Sequence, residues 1–256
     1  MEMPKQEEKP SPWAEITMSA PRIPRNQLTP ELLIRAYSAG IFPMSEGRDD
    51  PDIFWVDPER RGVIPLDTFY VPKSLKKVVR KNVFEVRVNT AFAEVIGACA
   101  LPRPDHEDTW INTEIETAYT ELHKTGFAHS IECWKDGNLV GGLYGVALAG
   151  AFFGESMFSK ETDASKVALV HLVARLRLGG YVLLDTQFIT DHLRTFGAND
   201  IPARFYLERL NDALQVKGRF RPVNYSGLGI SDDDWPDGAV SSEIETLLAQ
   251  PKTQTS

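Results

Sequence analysis

The spacing of hydrophobic positions along the chain changes between periods of about two and about 3.6 residues, which predicts strands and helices in one mixed α/β fold. Strand-like runs occupy residues 84–88, 128–135, 138–147 and 151–158. Asp136 and Gly137 separate two of these runs and predict a hairpin turn. A helix over 164–178 and an apolar strand over 181–185 follow, so the end of the pattern predicts a β-α-β unit with a parallel strand pair.

Further helices are predicted where an apolar stripe lies between a capping residue and a helix terminator. Thr29 is a favourable N-cap, Pro30 suits the first helical position and Gly40 suits the residue after the end. Asn112 and Gly126 enclose a second stripe in the same way. The other predicted helices cover residues 73–81, 91–99, 191–196 and 202–214.

These elements divide the chain into a small N-terminal domain over 21–83 and a larger domain over 84–215. Residues 1–20 and 226–256 have little apolar periodicity, so we expect a mobile N-terminal tail and a disordered C-terminal tail. The C-terminal segment contains six acidic residues and one basic residue. The net charge of −8 is therefore concentrated at the ends, and a nearly neutral central part can still have a basic face for a polyanion.

The composition argues against several classes of protein. Hydrophobic residues make up 42% and charged residues 25% of the chain, close to the globular average and unlike a disordered protein. A run of about 18 apolar residues is absent, and the charged N-terminus lacks the apolar core of a secretory signal. Cys99 and Cys133 are too few for a disulfide framework or a metal cluster. We therefore expect a cytoplasmic protein that does not enter a membrane.

Two acidic positions and one amide are the first candidates for chemistry. Asp185 and Gln187 stand at the end of the apolar strand, and their spacing places both on one side of it. Glu155 lies inside another apolar strand, where an unpaired carboxylate is costly to bury. Each carboxylate has a structural alternative. Asp185 can cap the end of its strand with its own hydrogen bonds satisfied, and Glu155 can pair with a cation such as Lys166.

Aromatic and basic side chains are candidates for nucleic-acid contacts. Trp55 and Trp110 lie in loop-like segments and are either stacking platforms for bases or core residues. The predicted helix over 73–81 has five cations at the spacing of one helical face, which are Lys73, Lys76, Lys77, Arg80 and Lys81. This basic face is either a phosphate-binding surface or a solvated helix surface.

The order of the predicted elements resembles the acyltransferase fold of the GNAT superfamily, with a mixed, mainly antiparallel sheet. Fold alone does not determine function, and the sequence lacks HExxH, CxxC, GxSxG and P-loop motifs. In that superfamily a glycine-containing loop before the central helix binds acetyl-CoA, whereas residues 158–165 contain no glycine. Because glycines let backbone N–H groups approach a pyrophosphate, the sequence disfavours acetyl-CoA as a donor.

Eight strings within residues 29–214 together closely resemble the leucyl/phenylalanyl-tRNA–protein transferases. They are GIFPM, FWVDPERRGVIPL, TWI, AYTELHKTGFAHSIECW, LVGGLYGV, FFGESMFSKETDASKVAL, LLDTQFITDHL and FGANDIP. The resemblance implies transfer of Leu or Phe, and less readily Met, from aminoacyl-tRNA to the α-amine of proteins that begin with Arg or Lys. It also implies that the product is marked for N-degron degradation and that no metal or nucleotide cofactor takes part.

The same resemblance implies roles for the candidate catalytic residues. Gln187 would contact the reacting amine or carbonyl, and Asp185 would orient and polarise Gln187. Glu155 would hold either the cationic side chain of the acceptor or the α-amine of the donor. The sequence leaves open which group takes the amine proton; because an amide is a poor base, proton transfer to Asp185, directly or through water, is physically easier than transfer to Gln187.

Binding residues follow from the resemblance as well. The donor side chain would enter an apolar pocket whose candidate lining residues are Leu143, Phe152, Met157, Val173 and Leu184. A flexible methionine in the wall would tolerate Leu, Phe and Met together. Trp55 and Trp110 would contact the 3′-terminal adenosine of the tRNA. The basic face of the helix over 73–81 would contact the acceptor stem, with Lys166 as a further phosphate contact.

Two other functions remain compatible with the sequence. One is an acetyl-CoA-dependent N-acetyltransferase on the same fold, which a calorimetric titration with acetyl-CoA would detect. The other is a module that binds tRNA or N-degrons without chemistry. A binding module has no need for Asp185, Gln187 and Glu155 together, so their presence favours an enzyme. We expect the protein to be a monomer.

Overall fold

The computed structural model describes residues 22–24, 27–102, 109–220 and 238–251, so the predicted tail over 1–20 lies outside the described residues. A small sheet contains β1 (Arg22–Ile23), β2 (Phe42–Met44) and β3 (Ile53–Val56). The larger sheet contains β4 (Arg60–Ile64), β5 (Glu85–Val88), β6 (Ala128–Lys135), β7 (Asn138–Leu148), β8 (Ala151–Ser159), β9 (Leu183–Gln187) and β10 (Asn199–Pro202). Its seven strands have the order β10-β4-β9-β8-β7-β6-β5.

Helices cover both faces of the larger sheet. They are α1 (Pro30–Ser38), α2 (Lys73–Arg80), α3 (Phe92–Cys99), α4 (Thr113–Lys124), α5 (Ala164–Leu178), α6 (Asp191–Arg194), α7 (Ala203–Leu214) and α8 (Ala239–Ala249). The predicted caps are confirmed, because the side chains of Thr29 and Asn112 accept hydrogen bonds from Leu32 N and Ile115 N.

The sheet is mixed and mainly antiparallel, as the sequence predicts. Within the described strands, β8 and β9 form a parallel pair joined through α5, and the other pairings of the larger sheet are antiparallel. The predicted β-α-β unit is therefore confirmed. Strand β4 belongs to the range predicted for the small N-terminal domain, yet it pairs with β9. The segments before and after residue 83 thus share one sheet.

Two apolar clusters lie on opposite faces of the larger sheet, because alternate residues of each strand point to opposite sides. Phe153 and Phe158 enter the cluster that contains residues of α1, α3, α4 and α7, which we call the α4-side cluster. Phe152 and Met157 enter or pack against the cluster that contains residues of α2, α5 and α8, which we call the α5-side cluster. A side chain of β8 therefore meets different helices according to its position in the strand.

Strands β8 and β9 separate soon after they meet. Their parallel pairing ends at Phe153 and Asp185, although β8 continues to Ser159. Beyond this point β9 pairs with β4, where Gln187 lies opposite Gly62. The register of β7 and β8 also shifts at this level, which leaves Glu155 without a partner on β7. The pairing of β8 with β9 thus ends beside an irregular part of the sheet, and we call the place where it ends the wedge.

The C-terminal segment differs from the expectation. Residues 226–256 are predicted to be disordered, but residues 239–249 form α8, and Ile244, Leu247 and Leu248 are buried in the α5-side cluster. The prediction is wrong for this part because these three residues, at helical spacing, form an apolar face that packs on α5. No helix in the described ranges is long and apolar enough to cross a membrane.

Candidate active site

Glu155 lies where β7 and β8 lose register, and three neutral groups donate hydrogen bonds to its carboxylate. The Tyr37 hydroxyl lies 2.6 Å from Oε1, the Gln187 side-chain Nε2 lies 2.9 Å from the same oxygen, and the Tyr119 hydroxyl lies 3.3 Å from Oε2. The predicted alternative, an ion pair with Lys166, is wrong because Lys166 Nζ pairs with Asp163 at 2.6 Å. No ion pair of Glu155 is present among the described residues.

The surroundings of Glu155 change its acidity. Burial raises the pKa of Glu155 to about 7, since the charged form loses contact with water, while the hydrogen bonds from Tyr37 and Gln187 oppose this rise. Burial and the neighbouring Glu155 charge raise the pKa of Tyr37 and Tyr119 well above 10, so both hydroxyls stay protonated. The carboxyl group therefore changes its charge near neutral pH, and its tyrosine partners do not.

Asp185 is fully buried and bound on several sides. Arg61 Nε lies 3.0 Å from both carboxylate oxygens, and Arg61 Nη2 lies 2.7 Å from Oδ2. The Tyr206 hydroxyl donates to Oδ2 at 2.8 Å, and the backbone N–H of Gln187 donates to Oδ1 at 2.7 Å. Arg61 and Asp185 therefore form a buried ion pair.

Gln187 connects the two carboxylates. Its backbone N–H binds Asp185, and its side-chain amide binds Glu155. Asp185 thus holds Gln187 through the backbone N–H of Gln187. The φ angle of Gln187 is +60°, in the left-handed region that non-glycine residues rarely adopt. Such strain persists only where surrounding contacts impose it, and it is frequent at functional sites.

Sequence reasoning missed four residues of this site, which are Tyr37, Arg61, Tyr119 and Tyr206. Tyr37 and Tyr119 lie in predicted helices with apolar stripes, but a buried phenol needs a hydrogen-bond partner, which is the signal that could have identified them. Arg61 is 1% exposed; it also donates to Gly40 O at 2.6 Å and lies over the rings of Phe42 and Tyr206. A buried arginine cannot be distinguished from its exposed neighbour Arg60 by local pattern.

The five predicted pocket residues come together, but not beside the carboxylates. Leu143, Phe152, Val173 and Leu184 are buried in the α5-side cluster, and Met157 packs against it. Tyr37 and Tyr119, which bind Glu155, belong to the α4-side cluster. Pocket residues and acidic residues therefore face opposite sides of the sheet.

The predicted nucleic-acid contacts lie elsewhere on the surface. Trp55 and Trp110 are half-buried and pack against the α4-side cluster. On α2, Lys76 Nζ donates to Gln250 O at 3.0 Å, and Arg80 Nη2 lies 3.5 Å from a Glu245 oxygen. The exposed members of the basic face are Lys73, Lys77, Arg80 and Lys81.

Metal ligands are not grouped in the described part of the chain, where no set of three or more His, Cys, Asp or Glu side chains could hold a metal ion. Cys99 and Cys133 are both buried, and neither forms a disulfide within the described residues. The site therefore consists of a wedge between strands, two carboxylates of different character and one strained amide residue.

Comparison with known proteins decides the family of this chain. A family model described as "Leucyl/phenylalanyl-tRNA protein transferase" matches residues 63–211, and the model of that family's N-terminal domain matches residues 26–59. The chain belongs to the leucyl/phenylalanyl-tRNA–protein transferase family. The resemblance predicted from the sequence motifs is confirmed, and the protein is a transferase. Glu155, Asp185 and Gln187 lie inside the matched range, whereas α8 lies outside it.

Curated members of this transferase family align over most of the chain. The leucyl/phenylalanyl-tRNA–protein transferase of Rhodopseudomonas palustris (strain HaA2) is 59% identical over 189 residues, which cover 74% of this chain and 84% of that protein. The transferase of Rhodospirillum rubrum is 55% identical over 193 residues, which cover 75% of this chain and 91% of that protein. A solved structure of a functionally unknown Staphylococcus epidermidis protein aligns with a TM-score of 0.36 and 11% identity over 71% of this chain and 68% of its own.

Proposed function

We propose that the protein transfers leucine or phenylalanine, and less readily methionine, from aminoacyl-tRNA to the α-amine of proteins that begin with Arg or Lys. The product is then marked for N-degron degradation. The observation that carries this proposal is the convergence of Glu155, Asp185 and Gln187 where β8 and β9 separate. All three come from one chain, so a monomer suffices, and the reaction takes place in the cytoplasm without a metal or nucleotide cofactor.

The donor ester occupies the wedge between β8 and β9 in this proposal. The pocket residues lie on one face of the sheet and the acidic residues on the other. A ligand that contacts both the pocket residues and the acidic residues must therefore pass between the strands. Its side chain then points towards α5, and its reacting group lies beside Gln187. Leu143 pairs with Met157 and Phe152 pairs with Leu184 across neighbouring strands, and all four side chains belong to or pack against the α5-side cluster. Together with Val173 of α5, which lies in the same cluster, they form the proposed pocket wall.

We further propose that the larger sheet and α5 form a GNAT-like acyltransferase core. The support is the parallel pair β8–β9, which is joined through a central helix and opens into a wedge at the site. Separated parallel strands expose backbone groups that no longer pair with each other, and such groups can bind a ligand that enters between them. Arg61 holds Asp185, and Asp185 in turn holds the strained backbone of Gln187 at this opening.

The tRNA lies along the surface that includes Trp55, Trp110 and the basic face of α2. Half-buried tryptophans can stack on the terminal adenosine, since ring stacking tolerates partial burial of one face. The cations of α2 contact phosphates of the acceptor stem. Lys166 is a weaker candidate for this role because its ammonium group is already paired with Asp163.

A transfer assay tests the proposed function directly. Labelled leucyl-tRNA is incubated with peptides that begin with Arg, Lys, Asp, Glu or Ala, with and without prior RNase treatment. We expect label on the Arg and Lys peptides only, and none after RNase treatment. Transfer from acetyl-CoA instead, or no transfer from fresh leucyl-tRNA, contradicts the proposal.

The Gln187→Ala variant is the matched probe of the site. Its tRNA affinity should stay near that of the original protein because other residues make the proposed tRNA contacts, while the transfer rate falls. Equal losses of tRNA binding and of transfer would instead assign Gln187 a structural role.

A further inference from the structure

Two carboxylates at the wedge, Asp185 and Glu155, are candidates for receiving the proton that the attacking amine must lose. Asp185 is fully buried and accepts hydrogen bonds from Arg61, Tyr206 and the Gln187 backbone. Protonation of Asp185 would leave the buried guanidinium of Arg61 without its counter-charge, which is strongly unfavourable. Asp185 is therefore poorly suited to act as the base.

Glu155 has the opposite character. Its donors are Tyr37, Tyr119 and the Gln187 amide, all neutral, so its protonation leaves no buried charge unpaired. It is 9% exposed, whereas Asp185 is 0% exposed. Its link to Gln187 also places it beside the amide at the opening of the wedge. A carboxyl group with these surroundings can gain and lose a proton without reorganising an ion pair.

The two tyrosine hydroxyls can adapt to both states of Glu155. The Tyr37 and Tyr119 hydroxyls contact each other, and either can donate in that contact. When Glu155 is charged, Tyr119 can donate to Oε2. When Glu155 is protonated at Oε2, its own O–H can donate to Tyr119, whose proton then turns to Tyr37, while Tyr37 keeps its bond to Oε1. Every buried donor keeps an acceptor in both states, which satisfies the general requirement for buried polar groups.

We infer that Glu155 takes the proton from the attacking α-amine, and that Tyr37 and Tyr119 are positioning residues that serve its two protonation states. The inference rests on the proposed function. The amine nitrogen forms a bond to the ester carbonyl carbon, and the bond from that carbon to the ribose oxygen breaks. The proton passes from the amine to Glu155 and then to the leaving ribose oxygen, so Glu155 ends in its starting state.

Polar or charged groups from six elements interact with Glu155. They are Tyr37 of α1, Tyr119 of α4, Tyr144 of β7, Arg61 of β4, Asp185 and Gln187 of β9, and Tyr206 of α7. Arg61 and Asp185 form an ion pair with each other, and burial raises the pKa of all three further phenols Tyr119, Tyr144 and Tyr206. Burial raises the pKa of Glu155 to about 7, so its carboxyl group can change its charge near neutral pH while the surrounding phenols stay protonated.

The test is the pH profile of leucine transfer, measured at saturating donor for the original protein and for Tyr37→Phe. We expect the rate to fall at acidic pH with a midpoint near 7, as burial places the pKa of Glu155. Tyr37→Phe removes a donor that favours the carboxylate, so its acidic limb should move up by about one pH unit, with the rate recovering at higher pH. The acceptor amine also titrates, but an enzyme substitution does not change the pKa of the free peptide.

Tyr144→Phe is the matched control. Tyr144 lies in the same buried aromatic cluster, with its ring 5.7 Å from that of Tyr119, but its hydroxyl has no hydrogen-bond partner among the described residues. Its removal should leave the acidic limb in place. Glu155→Gln, which keeps the size and loses the base, should reduce transfer by about 10²- to 10⁴-fold.

Each outcome decides between specific alternatives. If Tyr37→Phe lowers the rate by the same factor at every pH, without moving the acidic limb, Tyr37 is only structural and the inference is wrong. The inference also fails if Glu155→Gln transfers leucine within about tenfold of the original rate, because a general base contributes more than that. Absence of transfer by the original protein would contradict the proposed function itself, which separates the two failures.

Discussion

At the scale of single residues, the site contains two carboxylates with different tasks because their partners differ. Arg61 and Tyr206 fix Asp185 as a charged anchor, whereas Glu155 has only neutral donors. Pairs of ionisable groups whose surroundings push their acidities apart are a general way to divide acid–base roles. Here the division follows from one residue, Arg61, which the local sequence pattern does not distinguish from Arg60.

The first residue-scale prediction concerns stability and pH. Burial raises the pKa of Glu155 from 4.5 to about 7, so the folded state binds a proton more tightly than the unfolded state. Stability relative to Glu155→Gln should therefore decrease as the pH rises from about 4.5 to 7, by an amount on the order of 3 kcal/mol, and then stay constant. Urea unfolding of both proteins across this range measures the difference. A difference that is constant with pH would contradict this prediction.

At the scale of elements, the shape of the site depends on how closely β7 and β8 approach. Gly145 has no side chain, and the ring of Phe152 lies across it; a Cβ at this position would be 2.4 Å from the ring and 2.3 Å from Phe153 O. The ring of Phe152 also stacks on Phe220, with centroids 5.5 Å apart. The proposed pocket wall is therefore set by a glycine in the neighbouring strand.

Gly145→Ala tests this contact. The added methyl group meets backbone as well as ring atoms, so the strands must shift, and we expect a loss of about 1–3 kcal/mol in the free energy of unfolding. Gly97→Ala is the control. Gly97 lies in α3, and a Cβ there would be 3.6 Å from Glu116 Oε1, which is an ordinary van der Waals contact. The control should be neutral or more stable by about 0.5–1 kcal/mol. Similar unfolding curves for the two variants would show that Gly145 is not required for packing.

At the scale of the whole molecule, α8 brings negative charge to the basic face of α2. Glu245 pairs with Arg80, and Gln250 O accepts from Lys76. Helix α8 lies outside the residues that the family models match. Because the pair of Arg80 and Glu245 is exposed, its strength depends on salt.

Glu245→Gln should therefore release Arg80 for a tRNA phosphate. We expect tRNA affinity to rise about two- to threefold at low salt, and the rise to disappear at high salt, as filter-binding titrations would measure. Glu208→Gln removes an exposed carboxylate from α7 and is the control for overall charge. If both substitutions raise affinity equally, or if the rise persists in Arg80→Gln, the contact with Arg80 is not responsible.

The sequence by itself determined the order of elements, their caps and the family. Local periodicity and capping depend on neighbouring residues, so α1, α4, α5 and the strands of the hairpin are readable from the pattern. The family motifs likewise pointed to Glu155, Asp185 and Gln187, which the structure brings together. Acid content misled the prediction for α8, whose apolar face needs the surface of α5.

Only the tertiary structure decided what these three residues contact. Arg61 is 124 residues from Asp185 in the sequence, and Tyr37 is 118 residues from Glu155. Contacts over such separations depend on how strands and helices pack, and they determine which carboxylate stays charged and which can accept a proton. The separation of β8 from β9 is likewise a property of the whole sheet, because it depends on β4 pairing with the far part of β9.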